Sequence, residues 1–249
     1  MEKEDIRVET KPLAIIMAGG EGMGLRPLTE NLPKPMLKIG GKPVLQILIE
    51  SLRDAGFRNV IINIRYLGEI IKDYFRDGTD FNIAINYIQE TKPMGTAGSL
   101  GLIPVDLRPT VPFLVVNGDL LTTLNFRRFR DFHIAGKYVF TLCARPYSVQ
   151  IPFGYPIIEG DIVTAFREKP VFTHHVNSGI YCISPEVLDK VPVNGFLGMP
   201  DLIKAMIKEG KRVGMFPLRE AFHEIGRPES FKTAEEFYKI HFLQVEKEV

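Results

Sequence analysis

The sequence predicts an α/β protein: a doubly wound, mostly parallel mixed sheet between two layers of helices, with a smaller antiparallel extension in its second half. Two patterns and one bound carry that expectation. Short uninterrupted apolar runs alternate with amphipathic stretches through residues 13–119, as parallel strands buried on both faces and joined by crossover helices do. After Lys137 the strand-like runs crowd together with few helical stretches between them, which is the spacing of antiparallel pairs. The chain has 249 residues, 45% of them hydrophobic, enough to bury one large core.

The elements follow in order. "LAIIM" (Leu13–Met17) is a short apolar strand. "KPVLQILIESLRDAG" puts Val44, Ile47, Leu48, Leu52 and Ala55 on one helical stripe and Gly56 at the stop. "NVIINI" (Asn59–Ile64) is a strand, "LGEIIKDYF" (Leu67–Phe75) a helix and "IAINYIQ" (Ile83–Gln89) a strand. "GTAGSLGLI" opens a short helix on glycines, and "FLVVNGD" (Phe113–Asp119) is a strand closing in a polar turn. In "NFRRFRDF" arginines alternate with phenylalanines that face the core of a helix. "YVFTLCA", "GYPII", "DIVTAFREKP" and "HVNSGIYCIS" read as closely spaced strands. "SPEVLDKV" reads as a helix with Ser184 as N-cap and Pro185 at its first position. "MPDLIKAMIKEG" is a further helix, "RVGMFPL" a strand, and a long polar-rich helix runs from about Pro228. The βαβαβ alternation is Rossmann-like and three-layered. A tail, residues 1–11, precedes a single expected domain over residues 12–249, with halves at about 12–136 and 137–249.

Composition excludes several classes. Net charge is +1, from 31 basic and 30 acidic residues, without the basic excess of a nucleic-acid-binding surface. No apolar run approaches the length of a bilayer span. "MEKEDIRVETK" is charged and lacks a signal peptide's apolar core. Cys143 and Cys182 both sit in β-like apolar runs and read as buried thiols. A cytoplasmic protein with no membrane and no nucleic-acid partner is expected. His174 and His175 are neighbours in a strand or loop and point apart, so no zinc site is expected there.

The chemistry begins at the end of the first strand. Gly19, Gly20, Gly22 and Gly24 fall within six residues. Glycine allows positive φ and close approach of backbone N–H groups to an anion. Leu25 stands where a dinucleotide fingerprint needs its third glycine, and no G-K-[ST] follows, so both common phosphate motifs fail. Lys34 lies between Pro33 and Pro35, a rigid setting that lowers the entropy cost of aiming its ammonium at a phosphate. Asp119 closes "NGD" at a strand end, where open α/β sheets place ligands and where a carboxylate suits Mg²⁺. "REKP" and "VNSG" bring an acceptor, a cation and an amide in Glu168, Lys169 and Asn177.

These residues resemble a known family. "AGGEGMGLRPLTENLPKP" looks like the signature loop of the sugar-1-phosphate nucleotidyltransferases, and "PMGTAGSL", "VVNGD", "REKP", "VNSGIY" and "HEIGRP" resemble its later motifs in order, from about Pro12 to Phe237. The resemblance is strongest to the guanylyltransferase-like branch often fused to CBS (cystathionine-β-synthase-type) domains; the opening "MEKEDIRVETK" is then read as the trace of a boundary. It implies that a sugar 1-phosphate attacks the α-phosphorus of a nucleoside triphosphate and releases pyrophosphate, with Mg²⁺ as cofactor. The first half of the chain is then the nucleotide-binding half and the second the sugar-binding half. Carried over residue by residue, Gly19, Gly20 and Gly22 cradle the triphosphate and Lys34 holds a phosphate at the reaction centre. Asp119 binds metal, with Glu224 where the family has a second, aspartate ligand. Glu90, Gly95 and Thr96 contact the nucleotide. Gly154, Glu168 and Asn177 hold the sugar, and Lys169 its phosphate.

One departure bears on rate. The family's loop arginine is Gly24 here, and losing a guanidinium aimed at transition-state charge costs on the order of a hundredfold. Arg26, two residues on, is the expected catalytic substitute. Glu90 favours GTP, because a carboxylate accepts both N1–H and N2–H₂ of guanine at once; Gln89, one residue back, would suit uracil or thymine. Gly24 and Glu224 keep alive a second reading, a regulatory homologue that binds nucleotide or nucleotide sugar without turnover. A glycosyltransferase ranks last, since "NGD" has one carboxylate where D-x-D is usual. The sugar is unassigned, and a homo-oligomer is left open, because a surface patch cannot be read without a fold.

Overall fold

The computed structural model describes residues 12–243; the expected tail, residues 1–11, lies outside the described residues. The strands are β1 (Leu13–Met17), β2 (Lys38–Ile39), β3 (Lys42–Pro43), β4 (Asn59–Ile64), β5 (Ala84–Gln89), β6 (Phe113–Asn117), β7 (Leu120–Thr122), β8 (Phe140–Gln150), β9 (Tyr155–Glu159), β10 (Ile162–Arg167), β11 (Val171–Ile183), β12 (Val213–Pro217) and β13 (Phe222–Glu224). The helices are α1 (Val44–Asp54), α2 (Gly68–Phe75), α3 (Gly95–Gly98), α4 (Phe126–Ala135), α5 (Met199–Lys208) and α6 (Pro228–His241).

Seven strands form the central sheet in the order β12-β8-β11-β6-β1-β4-β5. β1 pairs in parallel with β4 and β6, β4 with β5, and β12 with β8. β11 is antiparallel to both its neighbours, β6 and β8, so it alone runs against the other six. The sheet is therefore mixed and parallel-dominated, as expected. Alternation along β1 shows why its run is apolar throughout: Ala14 and Ile16 enter one cluster with α1, α2 and α4, while Leu13 and Ile15 enter another with α5. Helices thus cover both faces, and each inner strand needs apolar residues on both sides.

A third cluster joins Leu25, Leu37, Ile39, Val44, Leu121, Ile225 and Tyr238. It locks α6 against the glycine loop and the β2–β3 hairpin. Gly40 has φ +60, and a Cβ there would lie 2.1 Å from the Tyr238 ring, so this turn requires glycine for both conformation and space.

The antiparallel extension is the outer part of the β8–β11 ladder, residues Arg145–Gln150 against Val171–Val176, plus the β9–β10 hairpin. Cys143 and Cys182 are free and buried; desolvation pushes the Cys143 thiol up to about 12. Three local expectations change. The strand expected over "HVNSGIYCIS" is longer at its start, because Val171–His174 pair with β8. "GTAGSLGLI" divides into α3 and a 3₁₀ turn, Ser99–Leu102. "SPEVLDKV" forms a 3₁₀ helix, Pro185–Lys190, without a side-chain cap. The Ser184 hydroxyl is taken elsewhere: it donates to Tyr138 O at 3.1 Å and lies 3.1 Å from His133 Nε2.

His133 is 1% exposed and also meets Thr141 Oγ1 at 2.8 Å. Burial, aided by the Arg130 guanidinium, lowers its pKa from 6.5 to about 4. The folded state thus prefers neutral imidazole. Its contribution to stability is complete above the unfolded value of 6.5 and is lost as pH falls through about 4. The expected result is a urea midpoint that drops across this window in the native chain and drops less in His133→Gln, measured as a series of denaturation curves against pH.

Candidate active site

β1 ends in the middle of the sheet, where its carboxyl end is held on both sides. Ala18 N–H donates to Asn63 O at 2.8 Å, and Gly118 N–H donates to Met17 O at 2.9 Å. The chain then leaves the sheet through Gly19 and Gly20. Gly22 has φ +63, and a Cβ on it would sit 3.1 Å from both Lys34 and Thr29. Its carbonyl accepts from Thr29 Oγ1 at 2.8 Å and from Leu25 N–H at 2.9 Å. Leu25 is buried in the third cluster. The loop's shape is therefore fixed from behind, by one buried leucine and one buried threonine.

Lys34–Met36 forms a 3₁₀ turn that begins after Pro33, with Pro35 and Met36 buried. This fixes the stem of Lys34 and sends its ammonium to Asp119 Oδ2, with which it is ion-paired. Asp119 is in the β6–β7 turn and only 7% exposed. The pair stands on one wall of a cavity of about 340 Å³ at the carboxyl ends of β1, β4, β5 and β6. Gly19, Gly20, Lys34, Glu90, Gly95, Thr96 and Asp119 all line it.

Glu90 is 8% exposed and highly bonded. Its Oε1 accepts from Asn63 Nδ2 at 2.5 Å, and its Oε2 from Met94 N–H at 3.3 Å. Gly95 has φ +74, with Leu197 O 2.5 Å from where its Cβ would be. Thr96 Oγ1 accepts from Met199 N–H at 2.8 Å, so its hydroxyl also holds the start of α5.

Other expected site residues lie apart. Gly22 shapes the loop and does not line the cavity, and Arg26 is exposed and outside it. The guanidinium that does line it is Arg65, just past β4, which donates through Nη1 to Glu21 Oε1 at 3.1 Å and places Nε 3.9 Å from Glu90 Oε2. Asn63, Asn117 and Phe196 also line it and were not anticipated. A polar residue inside "NVIINI" was the available signal for Asn63, since a doubly buried strand has no need of one.

In the second half, Gly154 and Glu168 come together, Glu168 Oε2 lying 3.3 Å from the position of a Gly154 Cβ. Lys169 has φ +42, and both Glu168 and Lys169 are exposed outside the cavity. Asn177 sits at the irregularity in β11, donating to Tyr181 Oη at 2.6 Å and accepting from Gly179 N–H at 3.1 Å. Glu224 is exposed at the end of β13, opposite Leu120, and Ile225 N–H donates to Asp119 O at 3.0 Å. Glu224 and Asp119 are therefore near neighbours in the chain's folded path. They offer only oxygen donors, the set a hard cation such as Mg²⁺ takes, and Asp119 presents its carboxylate to the cavity.

A glycine loop, a tethered lysine and buried carboxylates gather at the carboxyl ends of parallel strands, where α/β proteins of the doubly wound class place their ligands. The nucleotidyl transferase family model matches residues 13–240, and the chain belongs to that family. It is 31% identical over 228 residues to a mannose-1-phosphate guanyltransferase of Schizosaccharomyces pombe, covering 88% of this chain and 62% of that protein. It is 34% identical over 198 residues to a UTP–glucose-1-phosphate uridylyltransferase of a Synechocystis species, covering 72% of this chain and 50% of that one. The chain thus spans less than two thirds of the length of these relatives. Among solved structures it resembles HddC of Yersinia pseudotuberculosis complexed with GMP-PN, at TM-score 0.70 and 26% identity, over 92% of this chain and 100% of that one.

The buried hydroxyl behind the loop gives a direct test of its construction. Thr29→Val keeps the volume and removes the bond to Gly22 O. It is expected to cost about 1 kcal/mol in urea denaturation, whereas Thr29→Ser, which keeps the hydroxyl, is expected to avoid most of that loss.

Proposed function

We propose that this chain condenses a nucleoside triphosphate, GTP favoured, with a sugar 1-phosphate to give a nucleotide sugar and pyrophosphate. The observation that carries this reading is that the Lys34–Asp119 pair, the Gly19–Gly20 backbone and Glu90 line one cavity. An oxygen of the sugar phosphate forms a bond to the α-phosphorus while the bond from that phosphorus to the bridging oxygen breaks, and pyrophosphate leaves. The protein's task is positioning and charge stabilisation.

In this reading the N–H groups of Gly19 and Gly20 hold the triphosphate, and Lys34 turns its ammonium from Asp119 to a phosphate oxygen. Glu90 accepts from the base. Gly154, Glu168, Lys169 and Asn177 hold the sugar and its phosphate, which requires the antiparallel extension to fold toward the cavity. The division into a nucleotide half, about residues 12–136, and a sugar half, about 137–249, belongs to the same proposal. Asp119 with Glu224 would hold Mg²⁺, which when bound neutralises phosphate charge. The similarity to mannose-1-phosphate guanyltransferases supports mannose 1-phosphate as the first sugar to try.

The test is pyrophosphate release from GTP, UTP, dTTP and ATP, each paired with mannose 1-phosphate and glucose 1-phosphate. GTP is expected to turn over fastest; equal or faster turnover with UTP or dTTP removes the guanine preference. Nucleotide bound tightly, without release or pyrophosphate exchange in any pairing, returns the chain to a binding role. Asp119→Ala is expected to abolish turnover, whereas Glu224→Asp, which keeps a carboxylate one methylene shorter, retains it within about tenfold.

A further inference from the structure

The wall around Glu90 has a direction. On its Oε2 side stands Arg65, with Nε 3.9 Å away and the side chain 22% exposed at the cavity. On its Oε1 side stands Asn63, whose Nδ2 donates to Oε1 at 2.5 Å. An amide oxygen facing that carboxylate would be repelled, which fixes the orientation of the Asn63 side chain. Its Oδ1 is then an acceptor, and among the described residues it is the one buried side-chain polar atom without a partner. Glu90 thus offers two acceptor oxygens, flanked on the Oε2 side by a donor, Arg65, and on the Oε1 side by the Asn63 amide.

The outer edge of guanine presents the complement in one order only: O6 accepts, N1–H donates, and the two N2 hydrogens donate. We infer that Arg65 is a specificity-determining residue that donates to O6 of guanine while Glu90 accepts from N1–H and N2–H. The assignment rests on the nucleotidyl-transfer reading above and deepens it. It also accounts for an arginine beside a carboxylate without a close bidentate bond between them. Arg65 is anchored through Nη1 to Glu21 in the glycine loop at 3.1 Å, which leaves the remainder of its guanidinium for a ligand. Uracil and thymine would set a second carbonyl oxygen against Glu90, so the same order rejects them.

The test uses analogues that change one position of the base. 6-Thio-GTP keeps N1–H and the amino group and replaces O6 by sulfur, a poor acceptor. ITP keeps O6 and lacks the amino group. With the native chain and mannose 1-phosphate, kcat/KM is expected to fall about tenfold or more for each analogue relative to GTP. Arg65→Met is expected to lower kcat/KM for GTP by about tenfold, to bring 6-thio-GTP level with GTP, and to leave the GTP/ITP ratio standing. Arg65→Lys, which keeps a donor, is expected to keep part of the discrimination against 6-thio-GTP. If Arg65 served only to hold Glu90 or the loop, Arg65→Met would depress GTP and 6-thio-GTP in equal proportion; that result, or a native chain indifferent to sulfur at position 6, overturns the assignment while leaving GTP turnover intact. Should no nucleoside triphosphate react or bind in the native chain, the transferase reading itself fails and takes this assignment with it.

Discussion

The ion pair between Lys34 and Asp119 is the constraint on which the site depends. The two residues are 85 positions apart, and no regular ladder joins the segments that carry them. Their side chains are 22% and 9% exposed, so each would face a desolvation penalty without the other. Burial of Pro35 and Met36 sets the lysine stem on one side, and the β6–β7 turn sets the carboxylate on the other. A ligand phosphate near Lys34 competes with Asp119 for the same ammonium, and a cation near Asp119 relieves the carboxylate that the lysine leaves. In the proposed reaction a phosphate and a metal would therefore be coupled by electrostatics, each making the other's arrival less costly.

The sheet explains why the halves of the chain differ. Crossover connections bring β1, β4, β5 and β6 to a common carboxyl edge, and the cavity opens there. β11 then enters against β6 in the opposite direction, so its amino-terminal half and the end of β8 project past that edge. They have no further strand to join and continue as a two-stranded ladder carrying the β9–β10 hairpin. The projecting arm is where Glu168 and Lys169 lie. Its separation from the cavity follows from strand direction, and the β8–β11 register shifts at Asn177–Tyr181, where the arm leaves the central sheet.

Much of this was written in local chemistry. The apolar strands, the amphipathic α1 and α5, and the glycine loop each announce themselves through periodicity or backbone freedom, and Lys34, Asp119 and Glu90 come with the motifs around them. What the sequence concealed was decided by tertiary partners. Ser184 looks like a helix cap, but His133 and the Tyr138 carbonyl take its hydroxyl. Thr96 looks free for a ligand, but its Oγ1 receives Met199 N–H from 103 residues away. Arg26 follows the loop closely in sequence and still points away from the cavity, because Leu25 is drawn into the third core cluster and the backbone turns with it. Arg65 arrives from another strand altogether, and no spacing rule links it to the glycines.

The two departures from the family's pattern meet in space. A Cβ on Gly24 would stand 3.0 Å from Gly226 O, and Glu224 Oε1 lies 3.7 Å from where a Gly226 Cβ would be. The turn after β13 therefore presses against the loop at the position where the family carries its arginine. A side chain at residue 24 would have to push that carbonyl aside, and the turn is tied down by Ile225 in the third cluster and by the bond from Gly226 N–H to Ser230 Oγ at 3.1 Å. Glycine at residue 24 leaves the turn its room. The missing guanidinium and the extra methylene thus meet where the loop and the final helix share a core, and the guanidinium that lines the cavity beside Lys34 is that of Arg65.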